Sequence, residues 1–151
     1  VRTAVMAHEG LASPFRPAAS YGAVSRRVEE LVAQVGLTPH LDTRASALSY
    51  GDIALLEIAL ALANEPKLLL LDEPVCGMGP QETEQTVLKS REIAKTVDVV
   101  LIEHDMEVVF AIADEIIVMA QGAILARGTP AEISSSPEVQ EAYLGAPEEE
   151  D

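Results

Sequence analysis

The chain has 151 residues, 48% of them hydrophobic and 3% aromatic, which suits one ordinary domain with a buried aliphatic core. Its 25 acidic and 10 basic residues give a formal charge of -15, a balance that argues against nucleic acid, whose phosphates require a basic face, and against an anionic membrane surface. A single cysteine, Cys76, excludes an internal disulfide framework, no apolar run approaches the ~20 residues that span a bilayer, and no secretion signal is visible, so a soluble cytoplasmic domain is expected.

Residues 1–12 are mildly helical, and the two prolines of the segment 13–20 mark a linker. From about Tyr21 to Val35 the residues Val24, Val28, Leu31, Val32 and Val35 recur at the spacing of one helix face, and Gly36 is suited to end that helix. A loop follows over 37–47. Ser49 and Asp52 then form a capping-box pattern, opening a helix that runs to about Asn64. Its wide apolar coverage suggests a buried helix, and Pro66 prevents continuation. The run Leu68 to Leu71, ending at Asp72-Glu73-Pro74, reads as a strand buried on both faces, as in a parallel sheet.

After a glycine-rich turn, Pro80 stands at a first helical position. Glu82 and Glu84 come early in that helix, and Lys89, Arg91 and Lys95 late, which complements its dipole. Val97 to Ile102 is a second strand, ending at Glu103-His104-Asp105, and a helix starts near Met106. EIIVMA and AILARG read as two strands about a turn at Gln121-Gly122. A short helix opens at Thr129, and a last one runs from about Pro137 to Leu144. The chain thus divides into a helical portion, 1–64, an α/β portion, 65–147, with a right-handed βαβ unit, and an acidic, solvated tail, 148–151.

Three places can carry chemistry. Asp72 and Glu73 lie at the carboxyl end of an apolar strand, where open α/β sheets put their ligands, although a carboxylate there can simply cap a turn. His104 ends the next strand and is either an exposed structural residue or a phosphate contact. A metal site of Glu103, His104 and Asp105 is disfavoured, because adjacent residues do not point the same way. Ser49-Tyr50-Gly51-Asp52 is either an ordinary N-cap or a helix start open to an anion, since both use the same free N–H groups.

Taken in order, LSYGD, a helix, LLLLDEP, a glycine-containing loop and a strand ending in EHD resemble the ATP-binding cassette (ABC) ATPases. Ser49-Tyr50-Gly51-Asp52 resembles that family's signature motif, and Leu68–Glu73 its Walker B strand with the catalytic glutamate. Cys76–Pro80 resembles its D-loop, and His104 its switch histidine. The segments GMGPQET, LIEHDMEVVF, ARGTPAEI and EVQEAYLG look like the ATP-binding subunit of branched-chain amino acid importers.

The resemblance implies an α/β fold, an incomplete P-loop NTPase of the ABC type. Its parts are a helical subdomain, the Walker B and switch-histidine part of the parallel sheet, and a C-terminal hairpin with helices. It implies ATP and Mg²⁺ as cofactors. Ser49 and Gly51 would touch the γ-phosphate of ATP bound to the opposite subunit, with Tyr50 and Asp52 in the same nucleotide-facing segment. Asp72 would support Mg²⁺ through water, Glu73 would polarise the attacking water, and His104 would contact the γ-phosphate. The implied partners are a second ATPase subunit and membrane permease subunits, with no nucleic acid. They would hold the protein peripherally at the cytoplasmic face of the inner membrane, where the full-length protein is a transport-coupled ATPase.

The sequence also departs from that pattern. A phosphate-binding loop needs G-x-x-x-x-G-K-[ST], yet the lysines are Lys67, Lys89 and Lys95, and none follows a glycine. The chain is therefore expected to be the C-terminal part of a longer ATPase and inactive alone. Its strand Val97–Ile102 is expected to keep an open edge, a site of association. Ile53, Ala54 and Gly79 stand at usually polar positions. Two alternatives remain: a non-catalytic truncated module that supplies the signature motif to a partner, or an ABC ATPase for urea uptake or lipopolysaccharide export.

Overall fold

A computed structural model describes residues 1–11 and 17–144, so part of the linker and the acidic tail lie outside the described residues. The chain forms two compact units, Val1–Glu103 and His104–Asp151.

The first unit begins with α1 (Arg2–His8) and α2 (Gly22–Gln34). The helix-face spacing holds: Val24, Val28, Leu31 and Val32 of α2 are buried. Arg2 ties the two helices together, its guanidinium donating to Ser25 Oγ at 2.9 Å. Gly36 ends α2 at φ +83°, a left-handed conformation in which a Cβ would be strained. Leu37 N–H then bonds back to Val32 O at 2.8 Å.

Helix α3 (Tyr50–Leu62) follows, then β1 (Leu68–Asp72), α4 (Pro80–Ala94) and β2 (Asp98–Ile102). The strands pair in parallel, Leu68 opposite Asp98 through to Asp72 opposite Ile102. Short apolar strands joined by a helix give this βαβ pattern because parallel neighbours require a crossover connection. One face of the pair, with Leu69 and Leu71 buried, packs into a core that includes Leu31, Val35, Leu55, Ile58 and Ile93. Burying each such side chain contributes ~2 kcal/mol.

The other face corrects the expectation of a strand buried on both sides. Leu68, Leu70, Val100 and Ile102 are exposed, Leu70 at 69%. Side chains alternate across a strand, so a continuous apolar run fits two covered faces, but the described helices cover one. Among the described residues, β1 and β2 pair only with each other. The open edge expected of β2 is present.

In the second unit, Asp105 caps α5 (Met106–Ile112), its Oδ1 accepting from Glu107 N–H at 2.9 Å. β3 (Ile116–Ala120) and β4 (Ala123–Gly128) form an antiparallel hairpin. Its two turn residues, Gln121 and Gly122, both have positive φ, as a tight hairpin turn requires. Across the hairpin Arg127 grips Glu115 with two hydrogen bonds, of 3.0 and 2.8 Å. A capping box of Thr129 and Glu132 starts α6 (Pro130–Ser134), which precedes α7 (Pro137–Leu144). Ile116, Val118, Ile133 and Val139 form this unit's core.

Candidate functional site

Ser49 stands immediately before α3 with extended backbone, and its Oγ accepts the Asp52 N–H at 3.2 Å. This is the expected N-cap, which satisfies one of the helix's unpaired donors. The expected capping box is one-sided, however. The Asp52 carboxylate lies instead 3.7 Å from His40 Nε2, in the loop before α3. Gly51 is buried in the first turn, and the side chain of Glu82 covers it. A Cβ on Gly51 would come within 3.1 Å of Glu82 Cβ and 3.5 Å of its carboxyl carbon, so a larger residue would require Glu82 to give way by a few tenths of an ångström.

Glu82 belongs to the first turn of α4, where its carboxylate accepts the Gly79 N–H at 3.4 Å. The nearby Ser49 hydroxyl first, then the Gly79 N–H and, more weakly, the Gly51 N–H, hold the Glu82 carboxyl below the ordinary glutamate range. The sequence pattern marked Glu82 only as a first-turn acid. Its place over Gly51 and the link of His40 to Asp52 join residues distant in sequence, and no local signal announces either.

Asp72 and Glu73 are exposed at the carboxyl end of β1. Glu73 adopts φ 45°, a region that non-glycine residues seldom enter. Its backbone is secured on both sides: its N–H donates to Ile102 O at 2.9 Å, and its C=O accepts the Cys76 N–H at 3.1 Å. Glu103 adds a third tie, accepting the Val75 N–H at 3.4 Å. Tyr50 is 68% exposed and, with Asp72 and Glu73, lines a groove of about 380 Å³ whose other walls include Ile53, Glu57 and Leu70.

Three of the seven sequence-marked residues therefore share one groove, while Ser49, Gly51 and Asp52 occupy the adjoining helix start. His104 is the first residue of the second unit and is exposed beside the α5 cap. Among the described residues, no group of three or more His, Cys, Asp and Glu side chains converges as a metal cage. No described helix is long and apolar enough to cross a membrane. Chemically, the first unit offers a helix start with hydroxyl and N–H donors for an anion, and an adjacent pair of solvent-facing carboxylates.

Comparison with known proteins places the chain among ABC transporter ATP-binding proteins. The family model described as ABC transporter matches residues 2–76, and that described as branched-chain amino acid ATP-binding cassette transporter matches residues 123–149. The chain is 43% identical over 122 residues to the high-affinity branched-chain amino acid transport ATP-binding protein LivG of Salmonella typhimurium, covering 79% of this chain and 48% of that protein. It is 43% identical over 114 residues to BraF of Pseudomonas aeruginosa, covering 74% of this chain and 45% of the relative. It therefore spans about half the length of these relatives. Among solved structures, an ATP-binding cassette of an ABC transporter in its ADP conformation superposes with a TM-score of 0.77 at 26% identity, over 96% of this chain and 61% of that one. The cbiO1 protein of Clostridium perfringens gives 0.72 at 27% identity, over 87% of this chain and 52% of that one.

Proposed function

Because the chain belongs to the ABC transporter family of ATP-binding proteins, we propose that it forms the signature, magnesium-supporting and water-activating part of an ATPase subunit that drives an importer, with branched-chain amino acids as cargo. The observation that carries this reading is the pairing, within one compact unit, of a Ser49-capped helix start with two carboxylates at the end of an apolar strand.

Each residue has a role that its chemistry suits. Ser49 and the N–H groups at the start of α3 bind phosphate oxygens of a nucleotide carried by the opposite subunit. Tyr50 and Asp52 flank that contact. Mg²⁺, when bound, neutralises charge on the transferring phosphoryl group. It is commonly held by one or two carboxylates together with water and phosphate oxygens, and Asp72, a solvent-facing carboxylate outside any cage, fits water-mediated support. Glu73 takes the proton of the attacking water. His104 contacts the γ-phosphate. The partners are a second ATPase subunit and membrane permease subunits, which hold the assembly peripherally at the cytoplasmic face of the inner membrane.

The 151 residues contain no G-x-x-x-x-G-K-[ST] loop, so the chain by itself binds ATP weakly and turns over nothing. The test uses a complete subunit that joins this chain to a phosphate-binding-loop half. Mg²⁺-dependent ATP hydrolysis is expected, and its absence overturns the reading. His104→Ala should impair hydrolysis more than nucleotide binding, and unchanged turnover removes His104 from the mechanism. Reconstituted in vesicles with its permease partners, the subunit should drive leucine uptake, whereas urea uptake instead would reassign the cargo.

A second reading draws on the exposed apolar face of β1 and β2. In it the chain is a non-catalytic module that lends its signature segment to a complete ABC ATPase. Co-purification of the 151-residue chain with such a subunit would favour it.

A further inference from the structure

We propose that His40 is a positioning residue of the signature segment: it holds the Asp52 carboxylate on the side of the preceding loop, so that the segment's own anion stays off the helix start that a nucleotide phosphate approaches. The inference rests on the reading of Ser49 and the N–H groups of α3 as phosphate contacts, and adds His40, to which that reading gives no part.

Three helices of the chain carry an acid three residues after the N-cap, and they do not treat it alike. In α4 the Glu82 carboxylate folds back to accept the N–H of its N-cap, Gly79, at 3.4 Å, and in α6 Glu132 does the same to Thr129 at 2.8 Å. That is the usual course of an acid at this position, since it satisfies a free donor and meets the positive end of the helix dipole. Asp52 holds the equivalent place in α3, after the N-cap Ser49, yet its carboxylate lies 3.7 Å from His40 Nε2. The Asp52 N–H donates to Ser49 Oγ at 3.2 Å, which sets the backbone of the turn without engaging the carboxylate.

His40 ends the short 3₁₀ turn Thr38–His40 in the loop before α3. A protonated imidazole there attracts the carboxylate, whose side chain is only 24% exposed and so incompletely screened. Of the other charged groups around α3, Glu82 of α4 covers Gly51, and Asp42 and Arg44 follow His40 in the loop. Arg27 of α2 turns to Glu30 and to Glu65, beyond the far end of α3. The ion pair that the structure gives Asp52 is the one to His40. Released from it, the carboxylate regains the course taken in α4 and α6 and lies over the Ser49 N–H, at the helix end that phosphate oxygens approach. Like charges at that distance repel. Held by His40, the carboxylate is drawn aside and its charge is partly neutralised.

Two simpler accounts compete. In one, the Asp52 side chain is too short to reach back and His40 is incidental; in the other, the ion pair only stiffens the start of α3. The experiment uses the complete subunit in a Glu73→Gln background, in which ATP with Mg²⁺ accumulates dimers without turnover. The ATP concentration giving half-maximal dimer is measured at about pH 6, below the ordinary histidine value of ~6.5. His40→Ala is expected to raise it roughly three- to tenfold, the order of the interaction between two unit charges about 4 Å apart in water. Adding Asp52→Asn, which keeps the shape and loses the charge, is expected to bring the raised midpoint down again by a similar factor.

An unchanged midpoint in His40→Ala makes the histidine incidental and overturns the proposal. A raised midpoint that Asp52→Asn does not lower overturns it too, because a pair that only stiffens the helix is equally broken from either side. Both results leave the functional reading intact. Failure of the Glu73→Gln subunit itself to dimerise with ATP overturns both. His40→Leu, which fills similar space without a ring nitrogen, carries the same comparison if His40→Ala does not fold.

Discussion

The backbone N–H of Glu73 donates to Ile102 O at 2.9 Å, which carries the parallel pairing of β1 and β2 one residue past the paired strands and holds Glu73 at φ 45°. A residue in that region costs of order 1–3 kcal/mol and persists only where its surroundings over-determine it. Here the Cys76 N–H and the Glu103 carboxylate complete the restraint.

Glu73→Gln preserves the shape and backbone of this turn and removes the proton acceptor. In a complete subunit it should lower kcat by roughly 10²- to 10⁴-fold, the usual worth of a general base, while ATP-dependent dimers persist. Steady-state hydrolysis together with gel filtration checks this. Turnover within a few-fold of the parent would mean that Glu73 is not the catalytic carboxylate.

Ser90 lies on α4 at 2% exposure, and its Oγ is the buried side-chain oxygen left without a hydrogen-bond partner among the described residues. A buried unpaired hydroxyl costs about 1–3 kcal/mol. Ser90→Ala should therefore be neutral or stabilising by up to ~1 kcal/mol in urea unfolding. Leu31→Ala, in the fully buried core of the first unit, should cost ~2–5 kcal/mol. Destabilisation by both substitutions would show that Ser90 has a partner in solution.

The exposed face of Leu68, Leu70, Val100 and Ile102 predicts self-association of the 151-residue chain. Leu70→Glu should shift sedimentation toward the monomer. It should change unfolding free energy by no more than ~0.5 kcal/mol, because Leu70 loses no core contact. Association that survives Leu70→Glu would move the contact to another surface.

Acid should weaken the second unit in a defined direction. The Arg127 guanidinium lowers the Glu115 carboxyl, and the Thr129 N–H followed by its hydroxyl lowers that of Glu132. Groups depressed in the folded state contribute stability that is present above the unfolded glutamate value, ~4.3, and is lost as pH falls through the lower folded value. Unfolding midpoints measured from pH 6 to pH 3 should fall on the acid side. Glu115→Gln with Glu132→Gln should flatten that fall and lower the midpoint at pH 7. A parent acid limb no steeper than that of the double variant would contradict the assignment.

What the sequence alone determined is what short-range chemistry can carry. The α2 face, the Ser49, Asp105 and Thr129 caps, the Gln121-Gly122 turn and the order of the signature and carboxylate motifs all rest on bonds or periodicities within a few residues. These were enough to identify the family and to mark Ser49, Asp72, Glu73 and His104. What only the tertiary structure decided involves residues far apart along the chain. One-sided burial of β1 depends on which elements reach the sheet, and an apolar run reads the same whether one face or two are covered. The Asp52 carboxylate met His40 rather than closing its own cap, and the Glu82 side chain came to cover Gly51, because packing of the α3 start against the preceding loop and the start of α4 set those distances. Local pattern says which groups are available to bond, and only the folded path says which of them come within reach.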